Sequence, residues 1–336
     1  MSTKVSIVIK ALNEQANIAR VLRSAIAAAN AVSGEVILAD SFSTDETVEI
    51  AKNFAIKIVQ LIDPNQRSCG IGAQLGYQYA QGEYVYILDA DMEIEIDFLR
   101  QAIELMNQDK SLGGVGGLVK EMHLDGLEFK ARVQRAADDM SDGVVDHLAM
   151  GGLYRREAIN QVGYLTNRNL HSYEEFELGI RLRTAGWRLV RLPIVSVKHY
   201  GHTMPAYRLL KRRWKSRYSQ GLGELIRASF GKAHMSLLMR EMTDIKLYVV
   251  VIFWWIALLM ILAVVRPWSI MMTLFVSLLA LPFFAMVIKK RDFSLGVYSV
   301  VAWQYLSAGM ILGLMQKQTN PIEPIASNEI NLKRNS

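Results

Sequence analysis

The last third of the chain restricts its fold more than any other part. From residue 245 it carries three long segments almost free of charge: IKLYVVVIFWWIALLMILAVV (245–265), WSIMMTLFVSLLALPFFAMVI (268–288) and FSLGVYSVVAWQYLSAGMILGLM (293–315). The only charge in them is Lys246, at an edge. Each has about 20 residues or slightly more, the length that crosses roughly 30 Å of hydrocarbon at 1.5 Å per residue. One such segment could be a buried core helix, but three in succession read as membrane spans. KKRD (289–292) separates the second from the third. Basic loops stay in the cytoplasm. That turn is therefore inside, Arg266 and Pro267 are outside, and residues 1–240 are inside.

The rest of the composition fits a cytosolic domain carried by that anchor. The 38 Lys and Arg against 32 Asp and Glu give a net charge of +6. Such an excess suits a phosphate ligand or a lipid surface, and is too weak and scattered for nucleic acid. One cysteine, Cys69, excludes an intrachain disulfide. The opening MSTKVSIVIKALNE has too short an apolar run for a signal peptide.

Residues 4–94 alternate between strand and helix patterns. KVSIVIKALN, GEVILAD, IKIVQL and EYVYILDA read as strands. Between them, EQANIARVLRSAIAAAN, STDETVEIAKNFA and GIGAQLGYQYA have helical spacing. This order predicts an α/β fold with a doubly wound, mostly parallel sheet covered on both faces. Ligands bind such sheets at the carboxyl ends of the strands. Asn13, Glu14, Asp40, Asp89 and Asp91 all fall there. If the fourth strand persists, Asp89 and Asp91 share one face. Two carboxylates so placed call for a cation between them, Mg²⁺ or Mn²⁺, which would bridge to phosphate oxygens.

Four stretches taken in order, VSIVIKALNEQANIARVL, EVILADSFSTDETVEIA, RSCGIGAQLGYQYAQGEYVYILDADMEI and EEFELGIRLRTAGWRLV, resemble the family 2 glycosyltransferases of the GT-A fold, in their bacterial membrane-anchored form. The resemblance runs over about residues 4–205. It implies nucleotide contacts at Ala11, Asn13, Glu14, Asp40, Arg67 and Asp89. It makes Asp91 the direct metal ligand, Asp89 a contact to ribose or metal, and His199 either a third metal ligand or a structural histidine. Lys10 stands where proline is commonest, which implies an altered loop and adds a cation near the diphosphate. Asp45 reads equally as a helix-start residue.

In that family the catalytic base comes from a Glu-Asp pair opening a helix. Here the pair is Glu174–Glu175, so Glu175 is the first candidate and Glu174 the second, both acids also suiting a helix start. Gly151 and Gly152 resemble the turn lining the acceptor pocket, or form an ordinary turn. Farther on, YRLLKRRWKSRYSQGLGELI (207–226) sets Leu210, Trp214, Tyr218 and Leu225 against Arg208, Arg212, Lys215 and Ser219 on a continuous helix. That pattern suits an amphipathic helix on an anionic bilayer. Arg213 and Trp214 resemble the end of the Gln-x-x-Arg-Trp motif of processive members, a partial match because Leu210 stands at the glutamine position, and processivity is not implied.

The expected organisation is a GT-A domain over 1–205, an interface region over 206–240, three spans within 241–318 and a loose polar tail over 319–336. The expected function is an inverting, metal-dependent transfer of a sugar from a nucleotide-diphosphate donor, UDP-linked first, to a polyprenyl-linked saccharide or growing polysaccharide. Membrane lipids are the further partner, an oligomer is compatible with the chain, and the site is the inner (plasma) membrane. Sugar transfer to bare polyprenyl phosphate and a non-catalytic nucleotide-sugar-binding subunit are the rival readings.

Overall fold

The structure is a computed structural model that describes residues 4–122, 142–148, 151–201 and 204–331. The described residues form two compact units, one of 4–122, 142–148, 151–201 and 318–331, the other of 204–317.

The first unit is built on one sheet. Its elements run β1 (Val5–Ala11), α1 (Ile18–Ala31), β2 (Glu35–Asp40), α2 (Thr47–Ala51), β3 (Lys57–Leu61), α3 (Cys69–Tyr77), β4 (Tyr84–Asp89), β5 (Met92–Ile94), α4 (Ile96–Gln108), β6 (Leu112–Glu121), β7 (Gly143–Val144), β8 (Leu153–Arg155), α5 (Arg156–Val162), α6 (Glu174–Thr184), β9 (Arg188–His199) and β10 (Ser327–Ile330). The strand order is β10-β3-β2-β1-β4-β8-β6-β9-β5, with β7 beside β9. The pairs β3–β2, β2–β1 and β1–β4 are parallel, as the alternation predicts. The pair β6–β9 is parallel too, whereas β8, β5, β7 and β10 run antiparallel to their neighbours. The sheet is therefore mixed, because its second half is joined across long sequence separations that local periodicity does not report.

The β1, β2 and β4 strands are almost wholly apolar because both sheet faces are covered. On one face α1 buries Ile18, Val21, Leu22, Ala25, Ala28 and Ala29. On the other lies α3, where Gly76 permits a close approach: a Cβ there would stand 2.3 Å from Val8 Cγ1. The parallel register aligns Lys10 with Asp89 and Ala11 with Asp40. Strand pairing thus brings the polar strand ends to one edge of the sheet.

The polar tail is not loose over its described part. Ser327–Ile330 pairs antiparallel with β3, and Ile325 is buried in the core. Gln78 and Ile325 exchange hydrogen bonds, as do Asn169 and Thr319. The exposed edge of β3 supplies the partners that make this polar segment a strand.

The second unit contains α7 (Ala206–Lys215), α8 (Gly221–Ser229), α9 (Met235–Glu241) and three long helices: α10 (Asp244–Val264), α11 (Trp268–Lys290) and α12 (Phe293–Met315). By length and composition each of the three is able to cross a membrane. The continuous helix expected over 207–226 is broken. Arg217 takes a left-handed φ of 62°, a short 3₁₀ turn (Tyr218–Gln220) follows, and the axis restarts at α8. Beyond the break the faces change, so Ser219 is buried and Tyr218 exposed. Nor is the apolar side of α7 free to lie on lipid: Ala206 and Leu210 pack with Leu295 and Tyr298 of α12.

Candidate active site at the carboxyl ends of the strands

Two loops close over the ends of β1 and β2. Asn13, at φ 57°, accepts from Thr44 N–H at 2.8 Å through Oδ1, while its own N–H donates to Ser43 Oγ at 2.9 Å. Glu14 N–H donates to Thr47 Oγ1. Asp45 accepts from Gln15 N–H and from the N–H and hydroxyl of Thr47, so it does hold a helix start while also joining the loops. Below them Asp40 is fully buried. Its Oδ2 accepts from Ser43 N–H at 2.9 Å and Gln60 Nε2 at 2.8 Å. Among the described residues its Oδ1 is buried with no partner, an acceptor suited to the imide N–H of a nucleobase. Arg67 donates to the carbonyls of Ser41 and Phe42 and lies over the Phe42 ring. It therefore braces the Asp40 loop.

The two carboxylates of the Asp-x-Asp stretch are held by different partners. The strand ends at Asp89, the chain turns at Ala90, and the side chains find different cations. Asp89 Oδ1 lies 2.9 Å from Lys10 Nζ. Asp91 Oδ2 lies 3.4 Å from His199 Nε2. The pairing of β5 with β9 sets Met92 opposite His199 and so brings Asp91 beside it. Glu121, which sequence reasoning did not single out, accepts from His199 Nδ1 at 2.7 Å. Burial works against the imidazolium, but the Asp91 and Glu121 carboxylates outweigh it and raise the His199 pKa to about 9.

Those residues fit a hard divalent cation. Adjacent ligands on an octahedral ion with bonds of roughly 2.1 Å stand about 3 Å apart, close to the Asp91–His199 separation of 3.4 Å. Glu121 on the far ring nitrogen is the carboxylate that orients a ligating histidine. Among the described residues no cluster of three or more His, Cys, Asp or Glu surrounds a single point.

Lys10 joins the two halves of the site. It lies within β1, not in an altered loop, and its Nζ is 2.9 Å from both Asp89 Oδ1 and Glu174 Oε1. Gly72 of α3 leaves room for its stem, since a Cβ there would stand 3.1 Å from Lys10 Cβ. Burial disfavours the ammonium, yet Asp89, Glu174 and Glu175 together hold its pKa well above the ordinary value. Asp89 is pushed up, first by burial and then by Asp91, against the pull of Lys10.

Glu174 and Glu175 open α6. Glu174 is engaged by Lys10, whereas Glu175 makes no hydrogen bond or ion pair among the described residues. Burial pushes the Glu175 carboxyl up to about 8, with Glu174 and Asp89 adding to the rise and Lys10 opposing it. The Tyr154 hydroxyl is buried nearby without a hydrogen-bond partner among the described residues, close enough to feel Glu175, Lys10 and Glu174. Gly151 and Gly152 lead into β8 beside it. Gly151 needs its glycine: φ is +81° and a Cβ would meet Tyr86 Oη at 2.8 Å. Both glycines are buried. Arg213 and Trp214 belong to the second unit, where Arg213 stacks on Tyr218 and Trp214 meets the Tyr305 ring edge-on at 5.6 Å.

The mixed sheet, with the buried Asp40 and the acidic tip of β4 at its carboxyl edge, has the GT-A fold. Residues 6–163 match the family model described as Glycosyl transferase family 2. A glucomannan 4-β-mannosyltransferase of Arabidopsis thaliana is 27% identical over 143 residues, 39% of this chain and 26% of that protein. The match thus spans about a quarter of the plant relative's length. The succinoglycan biosynthesis protein ExoA of Rhizobium meliloti is 26% identical over 230 residues, covering 64% of this chain and 67% of ExoA. Among solved structures, a mannosyltransferase of Pyrobaculum calidifontis in complex with GDP-Man and Mn²⁺ superposes with a TM-score of 0.59 at 18% identity, over 95% of this chain and 89% of the other.

Proposed function

We propose that the chain is a membrane-anchored inverting glycosyltransferase. It moves a sugar from a nucleoside-diphosphate donor, UDP-linked in the first instance, to a lipid-linked saccharide or growing polysaccharide. The observation that carries this reading is the state of Glu175: a carboxylate with no hydrogen bond or ion pair among the described residues, its pKa lifted to about 8, at the start of the helix whose first residue is paired with Lys10, the ammonium that also holds Asp89.

In this reading Asp40 accepts from the base and the loops at Asn13 and Ser43 hold the nucleoside. Asp91 and His199 would hold Mg²⁺ or Mn²⁺, with Glu121 orienting the His199 ring and Asp89 toward the ribose. When bound, the cation stabilises the negative charge that develops on the leaving diphosphate. Glu175 takes the proton of the acceptor hydroxyl as the oxygen attacks the anomeric carbon and the bond to the diphosphate breaks. Attack opposite the leaving group inverts that centre. Lys10 fixes Glu174 and Asp89, which keeps the base side and the donor side in register. The polysaccharide acceptor is supported by the names of the relatives, one a succinoglycan biosynthesis protein and one a glucomannan mannosyltransferase.

The test is nucleotide release by the full chain in detergent with lipid extract. A panel of UDP- and GDP-sugars is run with Mn²⁺, with Mg²⁺ and with EDTA. Metal-dependent release for one donor, lost in Asp91→Ala and Glu175→Ala, supports the proposal. Mass spectrometry of the product then separates a lengthened saccharide from a sugar on bare lipid phosphate. Nucleotide binding without turnover across the panel makes the chain a binding subunit.

A further inference from the structure

We propose that the chain crosses the membrane twice, through α10 and α11, and that α12 does not complete a third crossing. The first ground is parity. The strand Ser327–Ile330 is hydrogen-bonded to β3 within the sheet, so the sheet and the segment after α12 share one side of any bilayer. A chain whose two ends lie on the same side has crossed an even number of times. Three crossings would leave Ser327–Ile330 on the far side from Lys57–Leu61.

The second ground selects α12 as the helix that stays. Its most apolar window is 39% buried inside the protein, against 17% for α10 and 11% for α11. What covers it is basic. Ala206 and Leu210 of α7 pack on Leu295 and Tyr298, and the Trp214 ring meets Tyr305. Farther along, Gly309 and Gly313 receive the chain that follows α7. A Cβ on Gly309 would stand 2.2 Å from Ser219 O, and one on Gly313 2.1 Å from Gln220 O. The covering chain thus follows α12 along most of its length. It carries Arg208, Lys211, Arg212, Arg213 and Lys215 on α7 alone. A membrane-spanning α12 would draw those cations into hydrocarbon, where arginine and lysine are strongly disfavoured. Held at the interface, the same helices keep their cations at the headgroups, where anionic lipid attracts them.

By contrast, α10 and α11 form a hairpin over a short connection at 265–267. They expose Val250, Phe253, Leu259, Leu281, Phe284 and Ile288, the surface a lipid-facing pair needs. The connection KKRD between α11 and α12 then lies on the side of the sheet, as the basic-loop rule requires.

The test labels full-length single-cysteine variants in a Cys69→Ser background with a membrane-impermeant maleimide, in sealed vesicles of both orientations. Lys110→Cys marks the side of the sheet, Arg266→Cys the α10–α11 connection and Gln318→Cys the end of α12. The expected result is that Lys110→Cys and Gln318→Cys label from one side and Arg266→Cys from the other. Labelling of Gln318→Cys from the side opposite Lys110→Cys overturns the proposal, as does labelling of all three from one side. A carboxyl-terminal epitope tag on the otherwise unaltered chain gives the same answer without substitution. Protease should remove it from the side of the sheet, and protection from that side is equally fatal to two crossings.

Discussion

Lys10 and Asp89 face each other across two parallel strands, paired in register and joined at 2.9 Å between Nζ and Oδ1. The same ammonium reaches Glu174 at 2.9 Å, so one cation compensates two carboxylates of the candidate site. Removing it leaves both partly buried and uncompensated. Lys10→Met is expected to destabilise the domain by about 2–3 kcal/mol, below the roughly 3–5 kcal/mol of a wholly buried pair because these side chains retain some exposure. Thermal unfolding of the full chain in detergent measures it. Adding Glu174→Gln should restore part of the loss, since the two changes share one interaction. Additive losses would show that the pair is not coupled.

The pH profile should report Glu175. Its carboxyl is held at about 8 against an ordinary 4.5, and a base must be ionised to act. In free protein kcat/KM is expected to rise about tenfold per pH unit up to about pH 8 and then level off. The neighbours set the direction of further shifts. Glu174→Gln removes a charge that raises this group, so the inflection moves down; Lys10→Met removes one that lowers it, so the inflection moves up. The stability linkage runs the other way from activity. The folded chain keeps a proton that the unfolded chain loses above its ordinary value. This group's contribution to stability is therefore full in acid and falls as pH rises through 4.5 toward 8. A profile flat from pH 6 to 9 would remove Glu175 from the role of base.

Glu121 touches the His199 ring on the nitrogen that faces away from Asp91. Glu121→Gln keeps the shape and removes the charge. Such a loss behind a ligating histidine typically weakens metal binding 10- to 100-fold. Titration of Mn²⁺ against the nucleotide-loaded protein should show that drop, with metal-free nucleotide affinity unchanged. Unchanged Mn²⁺ affinity would reduce the contact to a structural one.

Why Glu121 escaped a reading of the sequence is instructive. It meets His199 through the parallel pairing of β6 and β9, in register but 78 positions away. No local pattern carries that information. Strand β4 and its acidic tip were legible because an apolar run ends abruptly in charge, and Asp40 was legible for the same reason. The partners of the tip were not: Asp89 meets Lys10 and Asp91 meets His199, and alternation along one strand names neither. Helical spacing carried past Lys215 placed Ser219 on the polar side, because nothing in the spacing marks the left-handed Arg217. The tail looked loose for a related reason. Its polarity says nothing of an open sheet edge elsewhere that turns it into a strand.

That tail gives the last prediction, because its contacts lead toward the donor side. The carbonyls of Glu323 and Pro324 accept from Arg168, and Thr319 exchanges hydrogen bonds with Asn169. The loop carrying Arg168 and Asn169 holds the start of α3. Arg168 O accepts from Ser68 Oγ, Leu170 O accepts from Gly70 N–H, and Gly70 O accepts from Thr166 Oγ1. Gly70 admits no side chain there, since a Cβ would stand 1.9 Å from Asn167 O. One residue before this clamp comes Arg67, the brace of the Asp40 loop. Removing residues 318–336 should therefore do two things. Stability should fall by several kcal/mol, of which the buried Ile325 alone accounts for about 2–4, and the bared edge of β3 should promote aggregation. Where the truncated chain stays soluble, KM for the donor should rise more than kcat falls, with faster amide exchange at 64–72. The single substitution Ile325→Ala separates the two effects. It keeps the contacts at Arg168 and Asn169, so it should lower the unfolding temperature while leaving the donor KM near that of the parent chain.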